Sequence, residues 1–206
     1  MEIQYPKSYS KFTFQDLKSL GLKAVVVDLF EERIEEVKAS DWLKQSLAKG
    51  TNFSLNTEKA KSEFIIAPIL NEIHANNQAV FAVYSGFNFT INTERGLQDF
   101  WDFLLAKLPL NIVPDIPIIA VVEAKLNQDL SAAIPQYAAE MYATRLWNKE
   151  YGEPAQPIFG TVTTGDNWLF LRLDDDMTVK VDKTNYSLVQ LDKLLGVWQV
   201  IIDYFK

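Results

Sequence analysis

Apolar and polar positions along the chain predict helices and strands that alternate. Apolar residues recur at helical spacing in five stretches, which predict helices over 12–20, 29–49, 57–76, 130–148 and 188–205. Continuous or alternating apolar runs predict strands over 79–84, 86–91, 96–105, 117–125, 158–163, 168–173 and 178–181, with 23–28 either a short strand or a buried turn. This mixture predicts an α/β protein.

The strand over 117–125 is unusual because its apolar run ends abruptly in charged residues. Side chains alternate faces along a strand, so Glu123 and Lys125 project to one side while Ala124 points away. A buried charge needs a partner, a metal or a functional reason. Two interpretations therefore stay open, an ion pair at a strand end and a functional site. Two further acid–x–lysine spacings occur, but they lie in predicted helices, where residues two apart diverge.

A second carboxylate is expected from the neighbouring strand. If the strands of Asp102 and Glu123 pair in antiparallel fashion, the turn falls midway between them, in the turn-rich segment 109–114. Asp115 is a poorer partner, because it precedes Glu123 on one extended segment and lies roughly 26 Å away. We therefore predict that Asp102 and Glu123 share a site.

Asp102, Glu123 and Lys125, with the Ala124 carbonyl between them, would form an oxygen-rich site suited to Mg²⁺ or Mn²⁺. At these positions the sequence resembles the PD-(D/E)xK superfamily, the restriction-endonuclease-like nucleases, in which a strand Asp is followed by Glu-x-Lys on the next strand. The resemblance implies that Asp102, Glu123 and the Ala124 carbonyl hold the metal. It also implies that Lys125 orients or activates the attacking water.

Flanking segments extend the resemblance over most of the chain. Residues 62–70 are similar to the first core helix of the superfamily, whose Glu often joins the site, which implies Glu63 as a further metal ligand. Residues 135–141 resemble the helix whose Gln faces the metals, which implies that Gln136 steers water or phosphate. Residues 160–168 resemble the edge strands of small bacterial members.

The resemblance also implies a fold and a domain organisation. The expected fold is a restriction-endonuclease-like core with a central mixed sheet of about four to five strands flanked by helices. The chain would be a single domain, 1–206, in which an N-terminal helical extension, 1–56, precedes the nuclease-like core, 57–206.

The function that the resemblance implies is metal-dependent hydrolysis of nucleic-acid phosphodiester bonds, with DNA the favoured substrate, in restriction or repair. A homodimer is compatible with it, since many relatives dimerise. Two alternatives stay open. The chain could be a non-catalytic binding module derived from the nuclease, or a hydrolase of a small phosphate compound.

Composition limits the chemistry and the location. The 206 residues suit one domain, and the absence of Cys excludes thiol catalysis and Cys-bound zinc. The first residues lack the features of a signal peptide, and the apolar runs are too short to span a membrane, so we predict a cytoplasmic protein without membrane contact. A net charge of −7 argues against many phosphate contacts, although bound divalent ions would offset local carboxylates.

Two residues depart from the resemblance, since small residues are expected in place of Asp99 and Trp101. Asp99 would add negative charge to the site, and Trp101 would narrow it. The other polar and aromatic candidates are interpreted as structural: His74 on a helix surface, Glu140 on a polar helix edge, Asp174 to Asp176 in a solvated turn, and Trp147, Trp168 and Trp198 in the core.

Overall fold

The computed structural model describes residues 11–30, 34–92, 97–108, 117–126 and 129–206, with the backbone alone for 88–92 and 97–100. In these residues the α-helices lie at Phe14–Ser19 (α1), Asp41–Gly50 (α2), Glu58–Lys61 (α3), Ala67–Asn76 (α4), Ile134–Glu150 (α5) and Leu191–Asp203 (α6). The strands lie at Lys23–Val27 (β1), Phe81–Asn92 (β2), Leu97–Lys107 (β3), Ile118–Ala124 (β4), Ile158–Thr163 (β5), Asn167–Leu173 (β6) and Thr178–Ser187 (β7).

All of these strands join one mixed sheet in the order β1-β7-β6-β5-β4-β3-β2. The pairs β1/β7 and β4/β5 are parallel, and the other neighbours are antiparallel. The α/β prediction is confirmed, but the predicted sheet of four to five strands is wrong because the sheet has seven. One reason is that the N-terminal segment, predicted to be a helical extension, supplies β1 as an edge strand beside β7.

Helices cover both faces of the sheet and enclose two apolar cores. The first core contains residues of α2, α4 and α6, among them Trp198. The second contains residues of α1 and α5, among them Tyr137 and Trp101. Trp168 and Trp198 are fully buried, which confirms their predicted place in the core. Within the described residues, no helix combines the length and the apolar character needed to cross a lipid bilayer.

The predicted helix over 29–49 is wrong in its first half, since only α2 is helical. Hydrogen bonds attach segment 34–40 to α6 instead. Val37 N–H donates to Asp192 O and Ala39 N–H donates to Asp192 Oδ1, both at 3.0 Å. Ser40 then caps α2 by accepting a hydrogen bond from Leu43 N–H at 3.1 Å. Backbone donors committed to a distant element cannot continue a helix.

The predicted helix over 57–76 forms, but a π-helical turn at Ser62–Ile66 lies between α3 and α4. Thr57 caps its beginning by accepting a hydrogen bond from Ala60 N–H at 3.0 Å. The two predicted strands over 79–91 form the single strand β2, which passes through Gly86 in the left-handed region. The predicted turn over 109–114 and Asp115 lie outside the described residues.

Candidate functional site

Strands β3 and β4 bring Asp102 and Glu123 to the same point of the sheet. Their antiparallel pairing places Phe103 opposite Val122 and Leu105 opposite Ala120, and the register shifts between Leu105 and Ala106. This register confirms the predicted antiparallel pairing of the two strands, and Asp102 and Glu123 are the positions that follow the Phe103–Val122 pair. The Ala124 N–H donates to Asp102 Oδ2 at 2.7 Å. A side-chain carboxylate therefore serves a backbone donor at the end of the ladder.

Lys125 follows β4 directly and lies on the same side as Glu123, as strand alternation predicted. Its Nζ donates to Glu123 Oε1 at 2.8 Å, and its backbone N–H donates to Thr163 O at 2.7 Å. The second contact fixes the end of β4 against β5. The apolar strand β4 thus places an acid and a base together at its C-terminal end.

Helix α5 adds Gln136 to this site from the first turn after its N-terminal Pro135. Gln136 Nε2 donates to Glu123 Oε1 at 3.0 Å and to Glu140 Oε1 at 2.9 Å. Gln136 and Glu140 therefore lie on one face of α5. One amide therefore links a buried carboxylate of the strand to a buried carboxylate of the helix.

Tyr137 holds α5 in place on the sheet. Its hydroxyl donates to Val121 O on β4 and accepts a hydrogen bond from Thr161 N–H on β5 at 3.0 Å. Burial raises the pKa of Tyr137 well above its ordinary value, so the hydroxyl keeps the proton that it donates. Gly160 leaves room for this ring, because a Cβ there would collide with it. By fixing α5 to β4 and β5, Tyr137 also fixes the position of the adjacent Gln136.

The electrostatics of the site leave negative charge without full compensation. Burial raises the pKa of Glu123 from 4.5 to about 7, and repulsion from Asp102 adds to this, while Lys125 and Gln136 oppose it. Burial also raises the pKa of Asp102 against the stabilising Ala124 N–H. Burial acts to lower the pKa of Lys125, but attraction to Glu123 outweighs it and raises that pKa. Lys125 is therefore an ammonium at neutral pH.

Glu58 is an acid near the site that the sequence did not single out. Its negative charge acts on Asp102 and on Lys125, because α3 packs against β4. The predicted ligand Glu63 is instead half-exposed and forms an ion pair with Lys59 at 2.7 Å. No contact of Glu63 with Asp102 or Glu123 occurs among the described residues. The available signal was the position of Glu58 at the start of the helix, after the Thr57 cap.

The residues present fit a hard divalent cation. Asp102 and Glu123 each use one carboxylate oxygen in the hydrogen bonds described, which leaves the second oxygen of each for a ligand. Mg²⁺ needs only one or two carboxylates, because it keeps several of its waters. The raised pKa values of both groups also indicate charge that a cation would offset. Within the described residues, no group of three or more acidic or imidazole side chains forms a complete cation site.

The groups interpreted as structural have structural partners. The His74 ring lies edge-on to Phe81, with the centroids 5.5 Å apart. Asp174 accepts from Arg172 and from Lys180, both at 2.6 Å, and Asp175 pairs with Arg145 at 3.2 Å.

The two departures from the resemblance have separate outcomes. Trp101 is 1% exposed and lies in the second core, on the face that carries α5. The side chain of Asp99 lies outside the described residues. Neither observation removes a carboxylate from the pair formed by Asp102 and Glu123.

Comparison of the chain with protein-family models and with curated proteins found no match.

Proposed function

We propose that the protein hydrolyses nucleic-acid phosphodiester bonds with Mg²⁺ or Mn²⁺ at a site of the PD-(D/E)xK type. One observation carries the proposal. Two carboxylates from adjacent strands, Asp102 and Glu123, lie partly or fully buried beside one lysine, with more negative than positive charge around them. Such a charge imbalance is costly in a merely structural site and suits a cation site.

Asp102, Glu123 and the Ala124 carbonyl would hold the cation, with Glu58 as an additional acid in place of Glu63. When bound, a divalent ion lowers the pKa of water and stabilises negative charge on phosphate oxygens. The protein holds the two carboxylates in place. Asp102 is fixed by the Ala124 N–H, and Glu123 is fixed by Lys125 and Gln136.

Lys125 would orient the attacking water and stabilise the charge that develops on the phosphate. Its raised pKa makes it a proton donor and an electrostatic stabiliser, in preference to a base. Gln136 commits its amide hydrogens to two carboxylates, which leaves its side-chain carbonyl as an acceptor for a water hydrogen.

DNA is the favoured substrate, and restriction or repair in the cytoplasm is the favoured setting. The test is incubation of the purified chain with single-stranded, duplex and branched DNA and with RNA, with Mg²⁺, Mn²⁺ or EDTA. We expect cleavage that requires the metal and that Lys125→Ala abolishes. Lys59→Ala, which removes an exposed lysine from α3, should cleave at the wild-type rate. Equal, metal-independent activity of all three chains would refute the proposal.

A non-catalytic binding module is the second candidate, and one contact favours it. The 2.8 Å ion pair between Lys125 and Glu123 is what a simple strand-end pair would form. Calorimetric titration with Mn²⁺ separates the two functions. The nuclease proposal expects a binding event that Asp102→Ala removes, whereas the module expects the same heat from both chains.

A further inference from the structure

A cleft of about 470 Å³ opens between helix α4 and strands β2 and β3. Its floor is apolar, since Leu70, Ala82 and Phe103 are buried there. Its volume lies within the range of roughly 300–1,000 Å³ that small-molecule sites occupy, and such sites combine mostly apolar walls with a few polar groups. The cleft therefore has the size and the floor of a ligand site.

The rim of the cleft is polar but carries no permanent charge. Four side chains with hydrogen-bonding groups line it: Asn71, His74, Gln78 and Ser85. Within the described part of the chain none of these side chains makes a hydrogen bond, so their donors and acceptors are available. No Asp, Glu, Lys or Arg is among the described lining residues, although 23% of the chain is charged. The lining suits an uncharged ligand with a hydrogen-bonding edge, because an ionic group would find no counter-charge.

The sequence of α4 explains why this space stays open. Residues three and four apart share a helix face, so Ala67, Asn71 and His74 lie along the wall that faces β2. Ala67 on the helix and Ala82 on the strand have the smallest side chains of the lining after the backbone itself. The opening between the helix and the sheet is therefore set by two small residues on facing elements.

Both walls of the cleft continue into elements of the candidate metal site. On the sheet side, Phe103 is the residue that follows Asp102 on β3, and Ser85 lies opposite Phe103 in the register of β2 with β3. On the helix side, α4 continues through the π-helical turn from α3, which carries Glu58 and contacts β4. The cleft thus begins one residue further along β3 than the carboxylate pair.

We propose that this cleft binds one unpaired nucleobase. A nucleobase is uncharged, has two apolar faces that pack on aromatic rings such as that of Phe103, and has an edge that donates and accepts hydrogen bonds. A base inside a duplex has its faces stacked and its edge paired, so only a base of a single strand or an extruded base can enter. The choice of a nucleobase rests on the proposed function, and it makes unpaired nucleic acid the preferred substrate.

Saturation-transfer NMR with the full chain in EDTA tests the ligand class. The probes are deoxyadenosine, deoxyguanosine, deoxycytidine and thymidine, with 2-deoxyribose 5-phosphate as a probe that lacks a base and toluene as one that lacks a hydrogen-bonding edge. We expect the strongest saturation on the base protons of at least one nucleoside and none on the sugar phosphate. No response from any nucleoside, or a response to toluene equal to the strongest nucleoside response, would overturn the proposal.

Two variants place the ligand in the cleft. Ser85→Phe puts a ring beside Phe103 and fills the mouth, and phenylalanine is well tolerated in strands. It should abolish nucleoside saturation, and it should weaken binding of labelled single-stranded DNA, measured by fluorescence anisotropy, about fivefold or more. Asn71→Ala should weaken both signals. Asn76→Ala is the matched control, because Asn76 is another exposed asparagine of α4 that does not line the cleft.

The thermal midpoint of each variant shows that it is folded. Asn71→Ala keeps the test decisive if Ser85→Phe folds poorly, since it only shortens an exposed side chain. Wild-type binding by Asn71→Ala, equal losses in both asparagine variants, or tighter binding of duplex than of single-stranded DNA by the wild type would each overturn the proposal.

Cleavage assays separate this inference from the nuclease proposal, because nucleoside binding in EDTA needs neither a metal nor the carboxylate pair. A wild type that binds nucleosides in the cleft but never cleaves DNA would retain the cleft and refute the nuclease. A wild type that cleaves single-stranded DNA, with kcat/KM unchanged in a folded Ser85→Phe variant, would refute the cleft and retain the nuclease. With both correct, Ser85→Phe should raise KM for single-stranded DNA and leave kcat unchanged.

Discussion

Burial of Glu123 makes the stability of the protein depend on pH in a specific direction. The pKa of Glu123 rises from 4.5 to about 7 on folding because the carboxyl is buried and faces Asp102. The folded state therefore binds this proton more tightly than the unfolded state does. The associated stability is fully present below pH 4.5 and is lost as the pH rises through about 7.

The size of the effect follows from the two pKa values. At about 1.4 kcal/mol for each tenfold change in proton affinity, the rise corresponds to about 3 kcal/mol between pH 4.5 and pH 8. Glu123→Gln stays neutral at every pH and keeps an oxygen that can accept from Lys125 and Gln136. The free energy of unfolding of the variant, relative to that of the wild type, should therefore rise by about 3 kcal/mol between pH 4.5 and pH 8.

Urea unfolding at closely spaced pH values, followed by tryptophan fluorescence, measures this difference. Trp168 and Trp198 are buried in the core and report loss of the fold. Glu63→Gln removes one carboxylate from a half-exposed position and shows what the loss of a surface charge does by itself. A difference between Glu123→Gln and wild type that stays flat, or that falls with rising pH, would refute the reasoning.

Three further predictions concern the candidate site and two close contacts elsewhere in the fold. The Mn²⁺ affinity measured by calorimetry should increase from pH 5.5 to pH 8, with proton release, because the Glu123 carboxyl must ionise; a constant affinity would contradict this. Tyr137→Phe should lower the unfolding free energy by about 1–3 kcal/mol in urea, because the buried Thr161 N–H loses its acceptor; an unchanged value would contradict the bridge between β4 and β5. Gly196→Ala should lower it by about 1–3 kcal/mol, because a Cβ there meets the carbonyl of Glu35; wild-type stability would contradict that close approach.

The pairing of β3 with β4 could be predicted from the sequence because its determinants are local. The period of two fixes which side chains share a face, and the turn-rich sequence over 109–114 predicts where the chain reverses. The alternation and the turn-rich segment are both recognisable in the sequence around Glu123. They therefore predict that Asp102, Glu123 and Lys125 lie close together. The helix that carries Gln136 could also be predicted, because its apolar spacing is a local feature of the sequence.

Long-range contacts explain where the sequence analysis was wrong. Segment 34–40 has helical spacing, but its backbone bonds to Asp192, 153 residues away from Ala39. The pairing of β1 with β7 likewise joins residues near opposite ends of the chain. Spacing within a window carries no information on such partners. The four to five strands that the resemblance implied therefore fell short of the seven in the sheet.

The position of Glu58 near the site could not be predicted for a different reason. Spacing arguments assume a regular helix of 3.6 residues per turn. Glu63 lies inside the π-helical turn, which changes the direction of the side chains that follow α3. The face that looks at β4 therefore could not be inferred from apolar periodicity alone.

The hydrogen bond from Ala124 N–H to Asp102 orders this carboxylate before any ligand arrives. The side chain therefore loses its rotamer entropy on folding, and this loss is not repeated when a ligand binds. A cation that bound at Asp102 would meet a carboxylate already held in one conformation, so less side-chain entropy would be lost on binding.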